Sequence, residues 1–261
     1  MKEHFIISFL PGTSGRFISG LLWDMLSNNT HYVPFTKFNS SHNYEEYQTS
    51  WDMSTAGDIH NPNIYSEFKF LPISDLGVFH THVYPNFSHI ENYIPDIKLI
   101  IISFDFDDIS EIVSNQLFKN QLSNLQAREN GLDYHQQTVD RYLSIYELTF
   151  GTPYTGTVDS LTDDDIHRLH TAMNSIFRQL ILRKTEYWYF IKPIIPESIQ
   201  HKTLVIKYKD LVTKDENNYV GLTKLAAFAN RIPNSSNIDR YCRYVNGRTE
   251  FMKNLPSITN T

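Results

Sequence analysis

The stretch Glu3-His4-Phe5-Ile6-Ile7-Ser8-Phe9-Leu10-Pro11-Gly12-Thr13-Ser14-Gly15-Arg16-Phe17, with the helical pattern that follows it to Asn28, decides the fold. Phe5–Leu10 is a short apolar run bounded by turn residues, the pattern of a strand buried on both faces of a parallel sheet. Arg16–Asn28 then spaces Phe17, Leu21, Leu22 and Met25 for one buried helical face. Strand, glycine turn and helix start is the layout that offers backbone N–H groups and a positive dipole end to a phosphate. Thr13, Ser14 and Gly15 would add donors, and Arg16 a fixed cation suited to bidentate contact. The loop is not a Walker A loop, which needs a lysine at GxxxxGK[ST]. The plainer alternative is an ordinary strand-to-helix turn with a solvent-facing arginine.

Two more apolar runs, Ile97–Ser103 and Thr203–Tyr208, read as further strands, and Leu76–Phe79 leads into Phe79-His80-Thr81-His82-Val83-Tyr84-Pro85. Helical patterns occupy Asp107–Glu129, Thr162 to about Phe190, Tyr219–Arg231 and Asp239–Asn254; Thr162 and Asp165 stand at capping-box spacing. Strands alternating with helices predict an α/β chain with a mainly parallel central sheet, read as one domain over residues 1–261. Phe5–Leu10, Leu99–Ser103 and Leu204–Lys207 are expected as its inner strands. Asn39–Pro72 is a polar, aromatic excursion, and Gly151–Asp159 a second loop.

The 23 Lys+Arg against 29 Asp+Glu leave a net charge of -6, which argues against a general nucleic-acid coat. Cys242 is the lone cysteine, so neither an internal disulfide nor a multi-cysteine metal site is open to the chain. No run reaches the ~18 to 20 apolar residues of a membrane span. The opening run, preceded by Glu3, is short for a signal-peptide core and reads as a strand. A soluble, cytoplasmic protein with no membrane and no nucleic-acid partner is the expectation.

His80 and His82, two residues apart on extended chain, point the same way and could share a metal. No further ligand lies nearby at a recognisable spacing, so no metal is expected, and His167 and His170 read as surface residues of a helix. The sharper reading of His82 is a general base, since a histidine titrates near neutral pH.

In this order and spacing the segments resemble the cytosolic-type sulfotransferases, which use 3'-phosphoadenosine 5'-phosphosulfate (PAPS). The family loop P-K-S-G-T-T-W is similar to Pro11–Phe17, and K-T-H-L-P to His80–Tyr84 with His82 on the catalytic histidine. R-N-P-x-D followed by a serine is similar to Phe104–Asp108 with Ser110 and Ser114, and Y-E-D-L to Tyr208-Lys209-Asp210-Leu211. The resemblance implies a P-loop-like three-layer sandwich and in-line sulfuryl transfer from PAPS to a hydroxyl or amine of a small-molecule or glycan acceptor. It implies His82 as base, with Arg16 stabilising the leaving phosphate. Thr13, Ser14, Gly15, Arg16, Phe17, Ser110, Ser114, Tyr208 and Arg248 would hold the donor. The chain departs from the family pattern in lacking the loop lysine and the arginine for the 3'-phosphate, which would fall at Ser103 or Phe104. Two alternatives stay open: a non-catalytic binding module of the same fold, and a P-loop kinase-like transferase. The oligomeric state is open too.

Overall fold

The first apolar run is a strand, β1 (Glu3–Ser8), and Phe5, Ile6 and Ile7 are fully withdrawn from solvent. Successive strand residues point to opposite faces, so β1 is covered on both, as its unbroken apolar run requires. The strands β2 (Ser50–Asp52), β3 (Leu76–Thr81), β4 (Ile97–Ser103) and β5 (Thr203–Lys207) join it. All pairings are parallel, in the order β2-β3-β1-β4-β5, with Ile7 opposite His80 on one side and Ile100 on the other. The protein is therefore mixed α/β with a parallel sheet. The computed structural model describes residues 3–10, 15–27, 50–52, 76–81, 96–183, 185–212 and 219–253.

Eight α-helices are found among the described residues. They are α1 (Gly15–Ser27), α2 (Phe106–Glu129), α3 (Gln136–Phe150), α4 (Asp163–Arg183), α5 (Thr185–Ile191), α6 (Tyr208–Val212), α7 (Val220–Ala229) and α8 (Ser235–Lys253). The capping box at α4 forms: the Asp165 N–H donates to Thr162 Oγ1 at 3.2 Å and the Thr162 N–H to Asp165 Oδ2 at 3.0 Å. Asn234 and Asn237 cap α8 by the same exchange, at 2.9 and 3.0 Å.

Two expectations are revised. Among the described residues β5 is an edge strand of the sheet, with Val205 39% exposed, rather than an inner one. Its apolar run matches that of a central strand, but the run does not specify a second neighbour. Of the helix expected from Thr162 to about Phe190, Asp163–Arg183 and Thr185–Ile191 are helical, and Lys184 lies outside the described residues. His170, expected on the surface, is buried.

Contacts divide the chain into two compact units where the sequence reading places one domain: Met1–Asp105 with Thr185–Lys253, and Phe106–Lys184 with Asn254–Thr261. The second unit has a core of its own, in which Phe118 and Leu125 of α2 meet Val139, Tyr142 and Ile145 of α3 and Leu169 and Met173 of α4. Its loop is pinned by Glu129, whose carboxylate accepts from the Tyr154 hydroxyl at 3.1 Å and the Val158 N–H at 2.9 Å.

In the sheet unit, α1 packs against α7 and α8. The Phe17 and Tyr244 rings stack at 3.6 Å between centroids, and Asp24 forms a buried ion pair with Arg240. Burial draws the Arg240 guanidinium down to about 10, which leaves it charged at neutral pH and the pair intact. The start of α1 is tighter still. Gly15 is buried, and a Cβ built on it would overlap the Phe9 ring. Gly15→Ala should therefore cost about 1–3 kcal/mol through overpacking. Phe9→Leu in the same chain should recover part of the loss, a coupling that urea unfolding of the two singles and the double reads directly.

Candidate functional site

Because all five strands are parallel, their C-terminal ends lie along one edge of the sheet. The neighbours β1 and β4 send the chain in opposite directions, β1 through α1 toward β2 and β4 toward β5. In open α/β sheets a ligand binds beyond the strand ends at such a reversal. The residues that bear on it are those after Ser8, Thr81, Ser103 and Lys207.

Phe9 and Leu10 leave β1 buried, and α1 opens at Gly15. The Phe9 ring covers the Gly15 Cα, so the first turn of α1 lies flush on the strand end, with the N–H groups that a helix start leaves without an intrahelical partner at this edge. Thr13 and Ser14 lie outside the described residues. Arg16 is the second residue of α1. The Phe17 side chain belongs to the core, stacked on Tyr244, so its contribution to an anion would be its backbone N–H. The pairs Phe17–Tyr244 and Asp24–Arg240 show α8 running antiparallel to α1. Position 248 stands one turn beyond Tyr244, on the way toward the N-terminal end of α1.

On the other side of β1 the strand ends differ from the expectation. Ser103 is buried and its hydroxyl donates to the Ile206 carbonyl at 3.4 Å. Phe104 is buried against Tyr208, with ring centroids 5.6 Å apart. Neither presents a group to a ligand. A cation stands beside them nonetheless: Lys207 is in register with Ser103, and its Nζ pairs with Asp105 Oδ1 at 2.9 Å. The hydrogen bond from Lys207 holds the Asp105 carboxyl below its ordinary range, and Lys209 adds to the effect. The sequence reading did not single out Lys207. A lone lysine closing an apolar run is its signal, but pairing with Ser103 emerges only from the register.

After β5 the chain turns straight into α6, so Tyr208 opens a helix and is itself buried. The Tyr241 hydroxyl, on α8, serves the Asp210 and Leu211 carbonyls at 3.1 and 3.0 Å. Gly221 permits this closeness, since a Cβ there would meet the Asp210 carbonyl oxygen and the Tyr241 hydroxyl at 2.7 Å each. The turn after β5 is thereby fixed to two helices.

His82 lies just beyond the described residues; Thr81, the last residue of β3, is in register with Ser8 of β1. β1 and β3 thus end side by side. His80 is in register with Ile7 and Asp52. Ser110 and Ser114 are on α2, in the other unit. Among the described residues no group of three or more His, Cys, Asp or Glu is arranged to hold a metal, and no helix is long and apolar enough to cross a membrane. No protein-family model, curated protein or solved structure matches the chain.

The Asp105–Lys207 pair is half exposed on both sides, so it adds little to stability and can be opened by a competing anion at small cost. Lys207→Ala should raise the Asp105 pKa toward the ordinary carboxylate value, followed by the carboxyl chemical shift in an NMR titration. An unmoved midpoint would show that Lys207 does not hold the carboxylate in solution.

Proposed function

We propose that this chain is a sulfotransferase with a P-loop-like three-layer sandwich. It would move the sulfuryl group of PAPS to a hydroxyl or amine of a small-molecule or glycan acceptor. The observation that carries the reading is one arrangement of elements. A central parallel strand runs into a glycine-opened helix, and the neighbouring strand ends at Thr81, one residue before His82. Donor N–H groups and a candidate base therefore follow adjacent strand ends. In the reaction the acceptor oxygen or nitrogen attacks sulfur and gives its proton to the His82 imidazole. The bond from sulfur to the bridging phosphate oxygen breaks in line, and adenosine 3',5'-bisphosphate leaves with the electron pair. Backbone N–H groups at the start of α1, with Arg16, meet the charge that grows on that phosphate.

A non-catalytic module of the same fold is the second reading, favoured by the burial of Ser103 and Phe104 where the family carries its 3'-phosphate arginine. Lys207 beside them supplies a cation from the neighbouring strand. Calorimetry with adenosine 3',5'-bisphosphate tests both the site and the donor. Binding is expected, and Arg16→Ala should weaken it by about 1–3 kcal/mol, the range for a charge-assisted hydrogen bond. Binding of ATP with magnesium in its place would indicate a kinase-like transferase.

The catalytic step has its own test, a sulfate-transfer assay over a panel of hydroxyl and amine acceptors. His82→Ala should lower turnover by roughly a hundredfold or more and leave donor binding nearly intact. Activity that survives His82→Ala but not His80→Ala would move the base to His80. Donor binding that persists with no transfer to any acceptor would favour the non-catalytic module.

A further inference from the structure

The helical unit of Phe106–Lys184 contains a histidine that the sulfuryl-transfer reading does not use. His170, on α4, is 1% exposed, and neither ring nitrogen meets a hydrogen-bond partner among the described residues. The edge of its ring is set against Phe118 of α2, with centroids 5.2 Å apart and planes 80° to one another. Three more buried polar atoms of the unit are also without a partner there: Gln121 Oε1 on α2, the Tyr142 hydroxyl on α3 and Asn174 Oδ1 on α4. Each of the three long helices thus brings at least one such group to the shared core. A group buried in this way forfeits its hydration and receives nothing back, and a charge there costs much more than a dipole.

We propose that the helical unit is an acid-sensitive element in which protonation of the buried His170 ring opens the packing of α2, α3 and α4. Among the described residues the neighbours of the ring offer no counter-charge. α2 meets it with Phe118, and carries Gln121 and Leu125 at helical spacing from that contact; none of the three titrates. α3 brings Val139, Tyr142 and Ile145 to the same core, and only Tyr142 titrates. Burial pushes that hydroxyl up, as do Tyr146, Glu129 and Asp165, so it remains neutral across the acid range. On α4 itself His167 bears on the ring, and its effect is to disfavour the charged form. Among the described residues no carboxylate acts on the ring in compensation.

Burial first, and His167 second, hold His170 down to about 4, below the ordinary histidine value of 6.5. The sign follows from which state takes the proton. Between these values the unfolded chain is protonated at His170 and the folded unit is not. The contribution of the neutral ring is complete above pH 6.5 and is lost as the pH falls toward 4. At pH 4.5 the open form should be favoured roughly a hundredfold more than at pH 7 by this one group.

Hydrogen exchange of the full chain, read by mass spectrometry at pH 7 and 4.5 and corrected for intrinsic rates, resolves opening helix by helix. Peptides from α2, α3 and α4 of the wild type should lose protection by roughly a hundredfold at pH 4.5. His170→Leu and His170→Gln, neither of which titrates, should each remove that part of the loss. Full protection at pH 4.5 in the wild type, or an equal loss in whichever variant folds, overturns the proposal. An NMR titration of the wild-type ring stands independent of any variant: a midpoint near 6.5 overturns it, and a midpoint well below supports it.

Discussion

The contact between the Phe9 ring and the Gly15 backbone is the constraint on which the sheet unit depends. With any side chain at position 15, α1 would have to rise from the end of β1. Two consequences would follow together. The N–H groups of the first turn would leave the sheet edge, and Phe17, two residues on, would leave its stack on Tyr244. That stack and the Asp24–Arg240 pair are what hold α8 along α1. α8 in turn carries Tyr241, which fixes the turn after β5. A single absent methyl group thus coordinates two strand ends that are not adjacent in the sheet.

The two units treat buried polarity differently. In the sheet unit Asp24 is matched by Arg240, and the Tyr241 hydroxyl has two carbonyls within reach. Removing one partner of such a buried pair costs several kcal/mol, because the other is left charged in an apolar place. Matching is incomplete in both units: among the described residues Asp24 Oδ1 in the sheet unit, and the His170 ring nitrogens, Gln121 Oε1 and Asn174 Oδ1 in the helical unit, meet no hydrogen-bond partner. What sets the helical unit apart is that, among the described residues, no opposite charge acts on its buried imidazole, whereas Asp24 has Arg240.

Much of this architecture was legible in the sequence. β1, β4 and β5 are short, β-branched apolar runs between turns, which length and composition assign to strands, although the run alone did not show that β5 lies at an edge of the described sheet. The α4 start was legible because Thr162 and Asp165 satisfy each other's backbone at a fixed spacing. The sequence reading assigned no helix where α3 lies, although Val139, Tyr142, Leu143 and Tyr146 recur at helical intervals and Gly151, with φ at 72°, stops the helix. The separate core of the helical unit was not legible, because an amphipathic helix shows its apolar face without showing what covers it. His170 was hidden for the same reason. One polar residue among apolar ones, beside the half-exposed His167, reads as a boundary position on either side of the stripe. At the sheet edge, residue types pointed to the segments that follow the strand ends but not to Lys207. An arginine was sought within β4 or just after it, whereas a cation in register with Ser103 comes from β5.

That displacement bears on how an anion could be held at this edge. A cation on the same strand as its ligand contact is fixed by its own backbone, whereas Lys207 reaches in from a strand whose outer side has no described neighbour. It is already engaged by Asp105, whose depressed pKa keeps the carboxylate charged well into the acid range. A phosphate or sulfate ester at the proposed site would therefore compete with a carboxylate for the same ammonium group. The half-exposed pair is weak enough for a dianion to displace, since exposed ion pairs contribute only about 0–1 kcal/mol. Lys207 released in this way would gain a doubly charged partner, while Asp105 would lose its hydrogen bond and retain only the more distant attraction of Lys209. At the edge proposed here, repulsion would act beside attraction: Asp105 would disfavour a singly charged anion relative to a dianion, and only modestly, because the exposed pair that must open contributes about 0–1 kcal/mol.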